Sequence, residues 1–499
     1  MDINREMPSV KVSSQEFIRD SFLFSIWLVL GGLLRILRAF LLAKWLGPQA
    51  FGTWTFVNIF SNYIPLSGLG TQRAILRRVP FLRGKNDVEG IKAVLNTAST
   101  INFFGAIIYS LVIFGSSFFL QQPSNSQALA IYAPVILLIT WVRYGKTFCI
   151  STGLYEFRRR LEMVDVVLAS LFPVVLGYWW GVRGAITGLG ISALIVAIIA
   201  ARQLWQQFAF QIDWRIFREL FLTGLPILAN ALLLTTMRSV DRILIAALLN
   251  HELLGIYSIA NIGIGILGAI PFSLGRMLFV KFSEMDGESK TKKNMFSAYS
   301  QSTAVLSSLF APLVAVSIVL FPIAVVVLLP QFVQGIAAGK LLIASIFFIG
   351  VSMPATNLCI STGHFRFVLV LNFVVVVAEF VSVYLVIQNS MRLDHIALCV
   401  FCTSAFFCVT MIIVCNRLFA QTLKRGISCM INAMLPFLSV LVSLYIQSYV
   451  PLFKSYDQAS EILVYCVINF IIILAISSPL VYLVNRHTQV FQKLISNIR

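Results

Sequence analysis

Six basic residues stand inside long apolar runs: Arg35 and Arg38, Arg143 and Lys146, Arg238 and Arg242. The first two pairs are spaced i,i+3 and the third i,i+4, so each pair shares one face of a helix. A charge at the centre of a spanning helix costs about 2.5–3.5 kcal/mol, so six facing lipid would cost roughly 15–20 kcal/mol. The acids in the same runs are Asp165, Asp241 and Glu379, which leaves three positive charges without an acidic counterpart there. Guanidinium groups so placed offer paired hydrogen bonds to phosphate or carboxylate oxygens. The chemistry is anion binding in a water-filled cavity. Competing readings are local pairing of Arg242 with Asp241 or Asp165, and snorkelling of Arg143 and Lys146 to the cytosolic surface. Glu379 and Asp165 are the candidate carriers for any coupled ion.

The other reactive constellations are poorer. Cys399-x-x-Cys402 has a redox or zinc spacing, but it sits in an apolar run with no second pair or nearby histidine pair. The eight cysteines read as small buried hydrophobes. Gly145-Lys146-Thr147 has Thr140 where a phosphate loop needs its first glycine, and Gly339-Lys340 lacks the spacing and the Ser/Thr. Histidines 251, 364, 395 and 487 form no HExxH. No ATP hydrolysis, catalytic residue, metal or cofactor is expected.

The elements that must position these charges are membrane helices. Of 499 residues, 59% are hydrophobic and 12% charged, with a mean hydropathy of +0.88. A soluble domain carries about 45–50% apolar and about 25% charged residues. That excludes a soluble enzyme and a secreted disulfide scaffold. Fourteen apolar runs are read: 22–42, 51–69, 94–120, 128–150, 164–180, 184–201, 220–249, 253–274, 295–321, 341–360, 367–387, 396–414, 427–449 and 462–483. They are continuous, as spanning helices are, and do not alternate like barrel strands. The first run follows 16 polar residues and is long enough to be retained as a span, so no cleavable signal is expected. With both termini cytoplasmic, the inside segments carry 27 Lys and Arg and the outside segments 5. This positive-inside bias accounts for most of the net charge of +18 and removes the case for a nucleic-acid partner. The longest connections, 70–93 and 275–294, are then cytoplasmic, and no outside loop is large enough for a catalytic domain.

The chain also repeats itself. Cys-Ile-Ser-Thr-Gly occurs at Cys149–Gly153 and again at Cys359–Gly363. Upstream, Arg38–Trp54 aligns with Asp241–Tyr257 at an offset of 203, matching Gly52 to Gly255, Trp54 to Tyr257 and Asn58 to Asn261. Both copies start from the cytoplasm. The expected fold is an all-α polytopic membrane protein with two parallel six-helix repeats around a central cavity, plus two further C-terminal helices. The domains are then 1–205, 206–425 and 426–499. The same offset pairs Arg35 with Arg238 near mid-span, and Arg73 with Arg276 at cytoplasmic span ends. Arginines at two depths suggest a cationic funnel from the cytosol to the midplane; ordinary loop placement is the competing reading for Arg73 and Arg276.

Leu-Gly-Pro-x-x-Phe-Gly-x-Trp at Leu46–Trp54, Asp-Arg-x-Leu-Ile-x-x-x-Leu at Asp241–Leu249 and Leu-Gly-Ile-Tyr-Ser ending at Ser258 resemble signatures of the polysaccharide transporter family. That family lies within the multidrug/oligosaccharidyl-lipid/polysaccharide (MOP) exporter superfamily, and the chain most resembles O-antigen flippases. The resemblance implies translocation of an undecaprenyl-pyrophosphate-linked oligosaccharide from the cytoplasmic to the outer leaflet of a bacterial inner membrane. It implies membrane lipids as surroundings, and a polysaccharide polymerase and assembly proteins as partners. Trp27, Trp54, Trp141 and Tyr144 are candidates for stacking on sugars, with interfacial anchoring as the other reading. Alternatives are a multidrug/cation antiporter, disfavoured by two arginines and no acid in the first span, and a peptidoglycan lipid flippase. An envelope polymerase or glycosyltransferase would need a larger outside loop.

Overall fold

The computed structural model describes residues 14–120, 122–204, 209–288, 291–420 and 422–449, with Ala475 and Pro479. The expected run 462–483, apart from those two positions, and both chain ends lie outside the described residues. The described chain is helical, and nine of its helices are long and apolar enough to cross a membrane, or ten if one bent pair counts as a span. It is a multi-pass α-helical membrane protein. Two compact units divide it: Met1–Trp45 with Ile64–Leu225, and Leu46–Tyr63 with Pro226–Arg499.

The first expected pair of spans, 22–42 and 51–69, is found as two helical segments within Ser14–Asn62, together labelled α1, separated where Gly47 takes the non-helical φ 71° and Pro48 follows. Only glycine tolerates that backbone, and proline withholds the next amide donor. The unit boundary falls beside this break. The second expected span, 51–69, ends sooner than its hydropathy suggests. Helix stops at Asn62, a 3₁₀ turn covers Ile64–Leu66, and Leu69 and Gly70 both have positive φ. A separate basic helix, α2 (Thr71–Gly84), follows.

In the first unit come α3 (Val88–Ser117), α4 (Pro123–Thr152), α5 (Tyr155–Leu204) and the opening turns of α6 (Trp214–Met237). Helix α3 is started by Asp87, whose carboxylate accepts the Gly90 amide at 2.8 Å. Helix α4 is started by Pro123. The two spans expected at 164–180 and 184–201 are two helical segments within α5, separated at the non-helical Trp180 and Gly181. One core of this unit gathers Ile75, Val79, Leu95, Tyr144 and Phe148, and the buried Tyr144 hydroxyl shares a 2.7 Å hydrogen bond with Ser99.

The second unit continues α6 and adds α7 (Val240–Leu248), α8 (His251–Ser258), α9 (Ala260–Gly287), α10 (Lys292–Leu328), α11 (Ile336–Ser361), α12 (Phe365–Asn389), α13 (Leu393–Phe419), α14 (Leu423–Met434) and α15 (Phe437–Tyr449). Helix α11 packs on α9, α10 and α13. The core of this unit includes Phe310, Val314 and Ile318 of α10 and Phe347 and Val351 of α11, all essentially inaccessible.

The duplication is visible in geometry. The repeated pentapeptide ends α4 and α11 in the same motif. Gly153 and Gly363 both have φ 82°, and the amides of Leu154 and His364 donate to the carbonyls of Cys149 and Cys359, each at 2.8 Å. This closure needs a left-handed residue, which glycine supplies without strain. Within the second unit the repeat-related glycines also meet one another. A Cβ on Gly52 would lie 1.6 Å from the His251 carbonyl oxygen, and one on Gly255 would lie 1.9 Å from that of Pro48. Pro48 and His251 are themselves repeat mates, so the contact is reciprocal, as at the interface of a two-fold dimer.

Candidate functional site

In the first unit the candidate charges are carried by α1, α2 and α4. Arg38 donates from Nη1 to the Ala169 carbonyl of α5 at 2.8 Å, tying α1 to α5. Lys146 is held by two carboxylates, Asp165 at 2.5 Å and Glu162 at 2.9 Å, while Arg158 approaches Glu162 at 3.9 Å. Glu162 and Asp165 lie three residues apart on α5 and grip Lys146 from one face. Glu162 is the carboxylate that hydropathy places just outside the span. Arg35, Arg73 and Arg143 are exposed along their helices. The first unit therefore brings Lys146 and Asp165 together in an ion-pair network and leaves Arg35 exposed.

The second unit interrupts a helix at the candidate residue itself. The expected span 220–249 is not continuous: α6 ends at Met237, Arg238 and Ser239 form a turn, and α7 begins at Val240. The break is pinned by hydroxyls. Tyr63 Oη lies 3.1 Å from Thr236 Oγ1 and 3.2 Å from Ser239 Oγ, and Ser239 Oγ donates to the Thr235 carbonyl at 2.8 Å. Arg238 is exposed, and its guanidinium carbon stands 4.2 Å over the ring of Phe272 on α9. Stacking on an aromatic face holds the planar guanidinium while its N–H edge stays available.

One turn on, Arg242 Nη2 donates to the Arg238 carbonyl, one of those that the break frees. Its amide donates to Asp241 Oδ1 at 2.7 Å, and its Nε lies 3.9 Å from the same oxygen. Of the two acids considered for Arg242, Asp241 is the partner. The buried Tyr257 donates from Oη to Asp241 Oδ2 at 2.8 Å. Helix α12, which packs against α7, carries Glu379 at 1% exposure, with Oε1 lacking a hydrogen-bond partner among the described residues. Arg276 is exposed on α9. A buried carboxylate near a buried ion pair is a place where a proton or cation can reside. An exposed, stacked guanidinium at a broken helix is a place where an anion can.

Phe272, Tyr63, Tyr257 and Glu162 were not singled out by sequence pattern. Tyr257 had a signal, because it is the repeat mate of Trp54. Phe272, like Tyr63, is an ordinary aromatic of an apolar run, and its role depends on which helix crosses behind Arg238. Trp54 is buried, and Trp141 and Tyr144 lie in the first unit's aromatic packing, with centroids 6.2 Å apart. The side chain of Trp27 lies outside the described residues.

Residues 41–334 match the family model described as polysaccharide biosynthesis protein. A Shigella flexneri protein provisionally named an O-antigen transporter is 21% identical over 275 residues, covering 51% of this chain and 63% of the relative, short of two thirds of its length. The fold is similar to the lipid II flippase MurJ in an inward closed conformation, with TM-score 0.66 and 13% identity over 92% of this chain and 99% of that one. It is also similar to an inward-facing multidrug resistance MATE transporter of the MOP superfamily, with TM-score 0.62 and 16% identity over 78% and 94% of the two chains.

Proposed function

Because the chain belongs to the polysaccharide biosynthesis protein family, we propose that it is a flippase for an undecaprenyl-pyrophosphate-linked oligosaccharide. The cargo is an O-antigen unit or a related polysaccharide repeat, moved from the cytoplasmic to the outer leaflet of a bacterial inner membrane. The observation that carries this reading is Arg238, stacked on Phe272 at a helix break and exposed to receive an anion. The shared fold serves antiporters and flippases alike, so the cationic character of the candidate site makes the distinction. Pyrophosphate oxygens suit guanidinium donors, and a polyprenyl tail can stay in lipid while the headgroup crosses.

In this reading both termini are cytoplasmic, and the domains are the two repeats, 1–205 and 206–425, with a C-terminal extension, 426–499. Arg35 in the first unit and its repeat mate Arg238 in the second are each a pyrophosphate-binding residue, while Arg73 and Arg276 attract the headgroup from the cytosol. Arg38, Arg143 and Arg242 add to the positive field. Lys146 is committed to Glu162 and Asp165, which suits it to holding α4 against α5, and which makes Glu379 the better ion-coupling candidate than Asp165. A polymerase and assembly proteins receive the product outside. A headgroup of charge near −2 moving outward through about 100 mV gains roughly 4–5 kcal/mol, so no nucleotide is required.

The test is substitution of Arg35 and Arg238. Each alanine variant should abolish surface glycan while membrane-inserted protein stays at normal abundance. Each lysine variant should retain part of the activity, because lysine keeps the charge and loses the fork. Full activity in both alanine variants would defeat the assignment, and a parallel loss of protein would assign the residues a structural role.

A further inference from the structure

A second basic site lies in the first unit, on the helix that carries Arg73, where α2 passes the opening turns of α6. A groove of about 260 Å³ is lined by Arg77, Arg78 and Phe81 from α2 and by Glu219, Leu220 and Thr223 from α6. Arg78 Nε lies 3.1 Å from Glu219 Oε1, an ion pair that fixes one wall. Phe81 has two cations near its ring, with Arg78 at 5.5 Å and Lys85 at 4.7 Å from the ring centre. Arg77 is exposed on the same groove and has no ion-pair partner among the described residues. Arg77, Arg78 and Lys85 against Glu219 leave a local excess of positive charge. The neighbouring surface is apolar. Phe81 is 51% exposed, Leu222 58% and Leu225 41%, which is how a surface facing acyl chains reads. A basic rim above an apolar wall between helices matches a lipid that carries an anionic headgroup over hydrocarbon tails.

We propose that this groove is a binding site for an anionic glycerophospholipid. Arg77 donates to the phosphodiester oxygens, the Thr223 hydroxyl supplies a further donor, and the acyl chains lie along Phe81, Leu222 and Leu225. Arg78, already paired, shapes the wall. The inference does not depend on the cargo proposed above, since a resident lipid would be bound whatever the protein transports.

Native mass spectrometry of the purified full-length protein in detergent tests it, because a micelle removes the diffuse potential of an anionic leaflet. Added dioleoyl phosphatidylglycerol should bind about tenfold or more tightly than dioleoyl phosphatidylcholine, the preference of a charge-assisted phosphate contact. Arg77→Gln should remove most of that preference, and Arg77→Lys should keep part of it. Arg215→Gln alters an exposed arginine on α6 that does not line the groove, and should stay within about twofold of the parent if the contact is local. Equal binding of the two lipids would overturn the proposal, as would equal losses in Arg77→Gln and Arg215→Gln. Displacement of phosphatidylglycerol by undecaprenyl pyrophosphate, with the same sensitivity to Arg77→Gln, would also overturn it and make the groove a station for the cargo.

Discussion

Alanine at Gly52 or Gly255 tests the reciprocal contact on which the repeat closes. Ordinary van der Waals contact begins at 3.4 Å, so the local backbones must part by about 1.8 Å at Gly52 and about 1.5 Å at Gly255 to admit a methyl group. The obstructing atoms are carbonyl oxygens of His251 and Pro48, which cannot rotate aside as a side chain would. Overpacking of this kind costs about 1–3 kcal/mol, and rigid neighbours place it at the upper end. Alanine in a helix recovers about 1 kcal/mol over glycine, leaving a net loss near 2 kcal/mol. Gly32, with nothing within 4 Å of a built Cβ, provides the control, because Gly32→Ala should be neutral or stabilising. The separation that admits one methyl also admits its mate, so the double variant should lose about 1–2 kcal/mol less than the two single losses added together. Thermal unfolding of detergent-solubilised protein, followed by gel filtration of a fluorescent fusion, gives the ranking. Equal midpoints for Gly52→Ala, Gly255→Ala and Gly32→Ala would refute the reciprocal contact.

Three further outcomes follow from the same structure. Lys146→Ala should lower membrane abundance, since stranding two paired carboxylates costs about 3 kcal/mol or more, and neutralising Glu162 and Asp165 in the Lys146→Met background should restore it; normal abundance of Lys146→Ala would show that the network holds nothing. Under the coupling proposal, Glu379→Gln in vesicles should lose translocation driven by a pH gradient and keep translocation driven by potential, and unchanged pH-driven transport would remove Glu379 from the mechanism. Reporter fusions after Asn86 and Arg499 should read cytoplasmic and a fusion after Asn125 extracytoplasmic, whereas an outside signal at Asn86 would reverse the proposed orientation.

The helical membrane architecture was legible because apolar runs of spanning length have few other uses, and the duplication because its pentapeptide and its glycines survived in order. What hydropathy could not resolve was continuity. The runs 22–42 and 51–69 look separate because the Lys44 to Ala50 segment is mixed, and Gly47 and Pro48 do break the helix there. The run 220–249 looks continuous, yet Arg238 and Ser239 end one helix and Val240 starts another. Averages over a window of nineteen or so residues register composition and miss two dihedral angles. The same limit applies to the charges. Arg242 and Asp241 are neighbours in sequence, so their pairing was foreseeable. Lys146 finds Glu162 and Asp165 only because α4 and α5 fold back as a hairpin through Gly153, which brings partners 16 and 19 residues away into reach.

The reciprocal glycine contact has a mechanical consequence. At this one place the chain is a dimer of its own parts, with a local dyad passing between Gly52 and Gly255. Two backbones touch there directly, and the Phe56 ring, with its centroid 4.9 Å from that of His251, packs beside them. Pulling the segments apart breaks both close approaches at once, because each is the image of the other. The joint therefore resists separation at both close approaches together. Its evolution is constrained in the same sense, since a side chain acquired at either glycine meets the backbone of the other copy and cannot be accommodated by a change confined to its own half.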